Sequence, residues 1–231
     1  MRTRTLFLSL FWVSMVCSSA VGEYIAYEGD TFPEDDGWSV VGTLPAPDQY
    51  TRSISGGVYT ISAVADSHTK VIYEREISFA CDNLFYEWRS RTSNNDGYGG
   101  AGILFGQPGA RSLVAVSWHA DYGQVRFEPI AGDGYTWKNF SLEPGEFHTF
   151  RVEGNGADYA FFVDGNPVLA SALQSPGTEN VFFSWNFTKQ YINVPTDSDW
   201  DYVRSGEIPE PVTLLLFSGA FALMVRRRPK Q

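Results

Sequence analysis

The sequence predicts an all-β, two-layer sandwich set between a leader at one end and a short apolar tail at the other. Three observations carry that prediction. Short runs of apolar and polar residues in alternation recur at near-regular spacing, turn signals separate them, and the body has almost no apolar period of the kind that makes a helix. The runs are Val58 to Ala63, Val71 to Ile77, Leu84 to Thr92, Ala101 to Phe105, Leu113 to His119, Gln124 to Ile130, Phe147 to Glu153, Tyr159 to Val163, Val181 to Phe187 and Asp201 to Arg204. Between them stand Ser55-Gly56-Gly57, Asn94-Asn95-Asp96-Gly97, Gly132-Asp133-Gly134, Gly154-Asn155-Gly156 and Asp164-Gly165-Asn166-Pro167, stretches whose residues accept the dihedrals of tight turns. Glu34-Asp35-Asp36, bracketed by Pro33 and Gly37, reads as an acidic surface loop ahead of the first strand.

Both ends read as address signals. Arg2 and Arg4 precede the apolar stretch Leu6 to Val16, and Ser18-Ser19-Ala20 supplies the small residues of a signal-peptidase site, so residues 1–22 are expected to form a signal helix that is removed on export. Cys17 follows Val16, where a lipoprotein signal needs a small residue, and it is expected to leave with the leader. At the other end Ile208-Pro209-Glu210-Pro211 leads into the uncharged run Val212 to Val225 and then Arg226-Arg227-Arg228. As a helix this run reaches about 21 Å against a hydrocarbon core of roughly 30 Å, a poor permanent anchor. The arginines resist passage and hold to the cytoplasmic side. The arrangement over residues 207–231 resembles the PEP-CTERM sorting signal of exopolysaccharide-producing bacteria. That resemblance implies an exosortase partner that reads Pro209, Glu210 and Pro211 and cuts near them, a transient hold on the inner membrane by the short transmembrane helix, and delivery to the cell surface or extracellular matrix.

The body from 23 to 206 is strongly acidic. Setting aside six basic residues and one acid at the ends, the chain's 17 Lys+Arg and 27 Asp+Glu leave 11 against 26 between Glu23 and Glu207, a net charge of −15. Such a charge repels nucleic acid and anionic lipid, so neither is expected as a partner. With Cys17 gone only Cys81 remains, which excludes an intramolecular disulfide, and stability must come from an aromatic-rich core. Cys81, in Ile77-Ser78-Phe79-Ala80-Cys81, is expected as a buried thiol.

Two stretches narrow the sandwich. Phe147-His148-Thr149-Phe150-Arg151-Val152-Glu153, a turn, and Tyr159-Ala160-Phe161-Phe162-Val163-Asp164-Gly165 form a hairpin pattern. It resembles the late hairpin of concanavalin A-like (laminin-G-like) jelly rolls. Trp200-Asp201-Tyr202-Val203-Arg204 is similar to the final strand of those domains, which returns beside the first, and Gly37-Trp38-Ser39-Val40 is the expected neighbour. The resemblance implies a jelly roll of the lectin and glucanase type, a fold that hosts lectins, glucanases, lyases and adhesion modules alike.

Catalytic patterns are sparse. Retaining glucanases of this fold place two carboxylates about 5 Å apart, within a Glu-x-Asp-x-x-Glu cluster that the sequence lacks. Glu74-Arg75-Glu76 is the nearest approximation, with both acids on one face of a strand and Arg75 on the other; a solvated charged face accounts for it. The Arg, Gln, His and Tyr of the fold's lyases find formal counterparts in Arg89, Gln124, His119 and Tyr122, with no spacing that demands the role. His68, His119 and His148 are isolated, so neither zinc nor a triad is indicated. His148 is expected to pack or hydrogen-bond at the hairpin. No cofactor is expected; the one metal candidate is calcium at Asp197, Asp199 and Asp201, whose alternate spacing sends three carboxylates to one side of an extended segment.

Glycan binding is the remaining candidate activity, because sugar sites stack aromatic rings on pyranose faces beside a few hydrogen-bonding side chains. Trp118, His119, Tyr122, Tyr135 and Trp137 supply candidate rings near loops. Parity supplies a second set: Glu87, Arg89 and Arg91 alternate with Tyr86 and Trp88, and Ser184 and Asn186 alternate with Phe183 and Trp185, as if the polar sides lined one open sheet face. The sequence reading favours an exported, noncatalytic β-sandwich, not an enzyme, that binds polysaccharide or adds to matrix structure. Its alternative is a polysaccharide-cleaving enzyme, hydrolase or lyase, of the concanavalin A-like fold.

Overall fold

The structure is a computed structural model that describes residues 25–41, 49–63, 70–77, 84–95, 97–107, 110–128, 136–154, 158–172, 181–189 and 196–208. The expected signal helix and apolar tail helix, and Cys81, His68 and Tyr135, lie outside these residues. Along the chain come β1 (Ile25–Tyr27), a 3-10 turn (Pro33–Asp36), β2 (Ser39–Val40), β3 (Tyr50–Ser55), β4 (Val58–Ala63), β5 (Lys70–Ile77), β6 (Leu84–Thr92) and β7 (Gly97–Gln107). They are followed by β8 (Ala110–Trp118), β9 (Tyr122–Glu128), β10 (Thr136–Ser141), β11 (His148–Gly154), β12 (Asp158–Val163), β13 (Asn166–Ala172), β14 (Val181–Lys189) and β15 (Thr196–Glu207).

These strands make two antiparallel sheets. One has eight strands, ordered β13-β12-β11-β6-β15-β4-β3 with β1 paired to β15; the other has seven, ordered β10-β9-β8-β7-β14-β5-β2. The two-sheet jelly roll expected from the sequence is therefore the fold, and no α-helix occurs among the described residues. The last strand does return beside the first, but the first is β1, with Ile25 opposite Ser205, and Ser39–Val40 pairs instead with Glu74 and Tyr73 of β5 in the other sheet. A two-residue strand carries too little alternation to declare its partner. Four strands, β1, β3, β10 and β13, fall outside the expected runs. β10 is exposed at five of its six positions and so lacks a periodic pattern.

Alternation fixes the faces. Along β6, Leu84, Tyr86, Trp88, Ser90 and Thr92 are buried and the residues between them are not. Trp88, Trp118, Trp200, Phe150 and Phe161 fill the space between sheets; Trp118 lies 4.8 Å from Phe150 and 5.4 Å from Trp200, ring centre to ring centre. Burying one such ring contributes about 4–6 kcal/mol of transfer free energy, which is how a body with one cysteine does without a disulfide. A Cβ on Gly99 would stand 2.3 Å from the Trp118 ring, so glycine is the residue that lets this indole lie flat on β7. Two hairpins, β3–β4 and β12–β13, turn through Gly56-Gly57 and Asp164-Gly165, all at positive φ, which gives the primed two-residue turns favoured by twisted strands. His148 secures the second turn from within: its Nδ1 lies 2.7 Å from Asp164 Oδ2, and Asp164 Oδ1 accepts the Thr149 N–H at 2.9 Å.

At the β3 edge a polar network links the layers. Arg52 pairs with Glu34 and donates to the Tyr73 hydroxyl at 2.7 Å, and the Tyr73 and Tyr59 hydroxyls are 3.0 Å apart. Burial pushes the Tyr59 phenol far above its ordinary pKa. Tyr73 is also raised by burial, against the lowering effect of its bonds to Tyr59 and Arg52.

Candidate functional site

The outer faces of the two sheets differ in kind. On the eight-stranded sheet Arg91 pairs with Asp199 at 2.8 Å, Arg89 pairs with Asp201, Arg151 bridges Glu87 at 3.0 Å and Glu153 at 2.6 Å, and Arg204 holds Glu28 at 2.8 Å. Arg89 and Arg91 also lie over the Phe147 ring at 5.0 and 4.5 Å, and the Tyr202 hydroxyl donates to Glu87 at 3.1 Å. Glu87, Arg89 and Arg91 are thus bound into a charge lattice. The same lattice takes up two carboxylates of the calcium candidate: Asp199 also accepts from the Thr60 hydroxyl at 2.7 Å, and Asp201 faces Arg89. Among the described residues no group of three or more His, Cys, Asp or Glu side chains is arranged to hold a metal ion.

A cavity of about 520 Å³ opens on this sheet beside Glu153, Asp158, Tyr159, Ala160, Ser171 and Ile208. Among the described residues it is lined by two carboxylates, of which Glu153 is already committed to Arg151, and by no exposed aromatic ring.

The seven-stranded sheet presents two cross-strand rows. One runs Trp137, Arg126, Ala115, Gly102, Ser184, Glu74, Ser39 through β10, β9, β8, β7, β14, β5 and β2. The other runs Asn139, Gln124, Ser117, Gly100, Asn186, Ile72. Their neighbours Val125, Phe127, Val114, Val116, Tyr73 and Val71 are all buried in the core, so parity sends the rows outward. By ordinary strand spacing the rows lie about 7 Å apart, and Trp137 stands roughly 24 Å from Glu74. The middle of this face carries the smallest residues of the rows as its floor, Gly100 and Gly102, which are buried, and Ala115 and Ser117, which are half-buried. At Gly102 a Cβ would come within 2.6 Å of the Val114 carbonyl, so the floor admits nothing larger there without a shift.

Rings and amides border that floor. Trp137 is 51% exposed and Tyr122 46%, two of the three large apolar side chains that remain exposed among the described residues. Tyr122 belongs to the outward set of β9 and stacks on His119 at 4.4 Å and 16° between planes. The His119 N–H donates to the Tyr122 carbonyl at 2.7 Å and closes the β8–β9 hairpin beneath the stacked rings. Gln124 Nε2 donates to Asn139 Oδ1 at 3.1 Å across β9 and β10.

The structure therefore brings together His119, Tyr122 and Trp137, with the Ser184 and Asn186 positions of β14 across the same face. It separates them from Glu87, Arg89 and Arg91, which sit on the opposite side of the molecule: alternation reveals which side of a strand faces out, and not which sheet the strand joins. Of the residues matched to a lyase, Gln124, His119 and Tyr122 share this face and Arg89 does not. Trp118 is fully buried and is a core residue rather than a sugar platform. Sequence reasoning missed Arg126 and Ser117, although both are legible in the outward parity of β8 and β9; Asn139 was hidden with the unrecognised β10.

No family model matches the sequence, and no curated protein matches it. Solved structures do. A prokaryotic β-1,3-1,4-glucanase (lichenase) derived from a mouse hindgut metagenome is similar at a TM-score of 0.58 and 12% identity, over 80% of this chain and 99% of that one. The Bacillus licheniformis β-glucanase matches at 0.58 and 12%, over 82% and 99%. The κ-carrageenase from Pseudoalteromonas carrageenovora matches at 0.59 and 14%, over 80% and 96%. The likeness shows a concanavalin A-like β-sandwich of the glucanase kind. It also corrects the expectation of a noncatalytic, non-enzyme module, because these neighbours are polysaccharide-cleaving enzymes. The neighbours favour the alternative reading, a polysaccharide-cleaving enzyme of this fold, which is a proposal for this chain. Among the described residues no helix is long and apolar enough to cross a membrane, and the tail on which the sorting expectation rests lies outside them.

Proposed function

We propose that the chain is an exported polysaccharide-cleaving hydrolase whose substrate lies across the strands of the seven-stranded sheet. The observation that carries this reading is the row from Trp137 to Glu74, which sets an exposed ring and a carboxylate position on one low-floored face. The matched glycanases support it by fold, while differing in polymer from β-1,3-1,4-glucan to κ-carrageenan. Glu74 and Glu76 are the acid and base. They stand two residues apart on β5, opposite Ser184 and Phe182 of β14. The rise of two strand residues sets their backbones about 6.7 Å apart, and we assign the pair to inversion, whose carboxyls stand wider apart than the 5–5.5 Å of a retaining pair. One carboxylic acid gives its proton to the glycosidic oxygen as the C–O bond breaks. The other carboxylate takes a proton from the water that attacks the anomeric carbon from the opposite side.

The test is release of reducing ends from a panel of polysaccharides, followed by NMR of the first anomer formed. Activity with inverted configuration, abolished by Glu74→Gln, is the expected result; activity indifferent to Glu74→Gln and Glu76→Gln sinks the assignment. Delivery follows the terminal signals: residues 1–22 direct export, and an exosortase reads Pro209, Glu210 and Pro211, with Arg226, Arg227 and Arg228 as the stop. Mass spectrometry of the exported protein is expected to find the arginine cluster missing, and an intact C-terminus held in the inner membrane would contradict cleavage.

A further inference from the structure

We infer that the polymer taken by the seven-stranded face is a neutral, hydroxyl-rich glycan rather than one bearing carboxylates or sulfates. This deepens the glycan-site reading above and rests on it. The first ground is the hydrogen-bonding set. Because Gln124 Nε2 donates to Asn139 Oδ1, the two amides are oriented, and an acceptor, Gln124 Oε1, and a donor, Asn139 Nδ2, stand side by side at the exposed end of their row. A pair of sugar hydroxyls donates and accepts and so fits both; a carboxylate or sulfate only accepts and meets the Gln124 oxygen as a repulsion. Ser117, opposite Gln124 on the next strand, extends the row with another group that does both.

The second ground is charge. Anionic polymers are held by clustered arginines, and the cluster Arg89, Arg91, Arg151 and Arg204 belongs to the other sheet, each tied to a carboxylate. Within the two rows of the seven-stranded face the ionisable positions are Arg126 and Glu74, four strands apart and of opposite sign. Around them the body carries the −15 net charge counted between Glu23 and Glu207, which opposes the approach of a polyanion at long range. The third ground is ring exposure: Trp137 offers half its surface for stacking against an uncharged pyranose face.

Affinity electrophoresis of the full chain against soluble mixed-linkage β-glucan, neutral galactan, κ-carrageenan and polygalacturonate separates the classes. Binding to a neutral glycan is expected to hold nearly constant from low to high salt, as the screening length falls from about 30 Å to about 3 Å. It should weaken about tenfold in Trp137→Ala, recover in Trp137→Tyr, and weaken in Gln124→Ala. Preferential binding of carrageenan or polygalacturonate that salt abolishes and Trp137→Ala does not touch overturns the inference, as does binding of none of the four. The two proposals fail separately. A neutral glycan bound without turnover removes the hydrolase reading and leaves this inference standing, whereas cleavage confined to a charged glycan removes this inference and leaves the hydrolase.

Discussion

The two outer faces of this sandwich are built from the same alternating strands, yet one spends its polar groups on itself and the other holds them outward. On the eight-stranded side Arg89, Arg91, Arg151 and Arg204 close against Asp201, Asp199, Glu87 and Glu28. On the seven-stranded side Trp137, Gln124, Asn139 and Ser117 stand in outward rows that also hold Arg126 and Glu74, beside a strip of glycine and alanine. Polar surface alone therefore does not mark a site. What marks it is hydrogen-bonding capacity beside an exposed ring, and among the described residues only the second face has both.

The sharpest way to break the comparison is at Glu74. Glu74→Gln is expected to lower kcat on the preferred polysaccharide by about 100-fold or more while leaving the melting temperature unchanged, as read by reducing-end release and calorimetry. Trp118→Ala tests the support beneath both faces: loss of this buried ring should cost about 3–5 kcal/mol and lower Tm by about 10 °C. Retained stability would mean that the aromatic core is not what aligns the sheets.

The charge lattice should matter far less. Arg91→Ala removes a partly exposed pair and is expected to cost no more than about 1 kcal/mol by urea titration, with glycan turnover intact. The smallest effect concerns pH. Tyr59 and Tyr73 are held protonated above the ordinary phenol value, so the folded state keeps protons that the unfolded chain loses above about pH 10. Stability from these two groups is complete below that pH and declines as pH rises beyond it. Tyr59→Phe should flatten the alkaline limb of a Tm–pH curve.

The fold was legible in the sequence because strand parity and turn chemistry are local. Leu84 to Thr92 alternates as written, and the Asp164-Gly165 turn takes the positive-φ geometry its residues favour. Partner choice was not legible, since it depends on contacts distant in sequence. Ser39–Val40 went to β5 instead of the last strand, and β6 and β14, whose polar positions had been placed on one surface, joined different sheets. The site was legible in fragments. Tyr122, Trp137 and His119 were recognisable as residue types, but the rows that unite them with Gln124, Asn139 and Ser117 exist only across strands, and one of those strands, β10, is too exposed to show a period. Trp118 misled for the same reason: next to His119 in sequence, it points to the opposite side of the sheet.

The most direct test of the central claim, that polysaccharide is cleaved on the seven-stranded face, is to obstruct each face in turn and follow reducing-end release. Ser117→Trp fills the low floor, and Ala160→Trp fills the cavity on the eight-stranded sheet. Activity lost in Ser117→Trp and kept in Ala160→Trp, with both proteins folded, is the predicted result; activity kept in Ser117→Trp and lost in Ala160→Trp would contradict it.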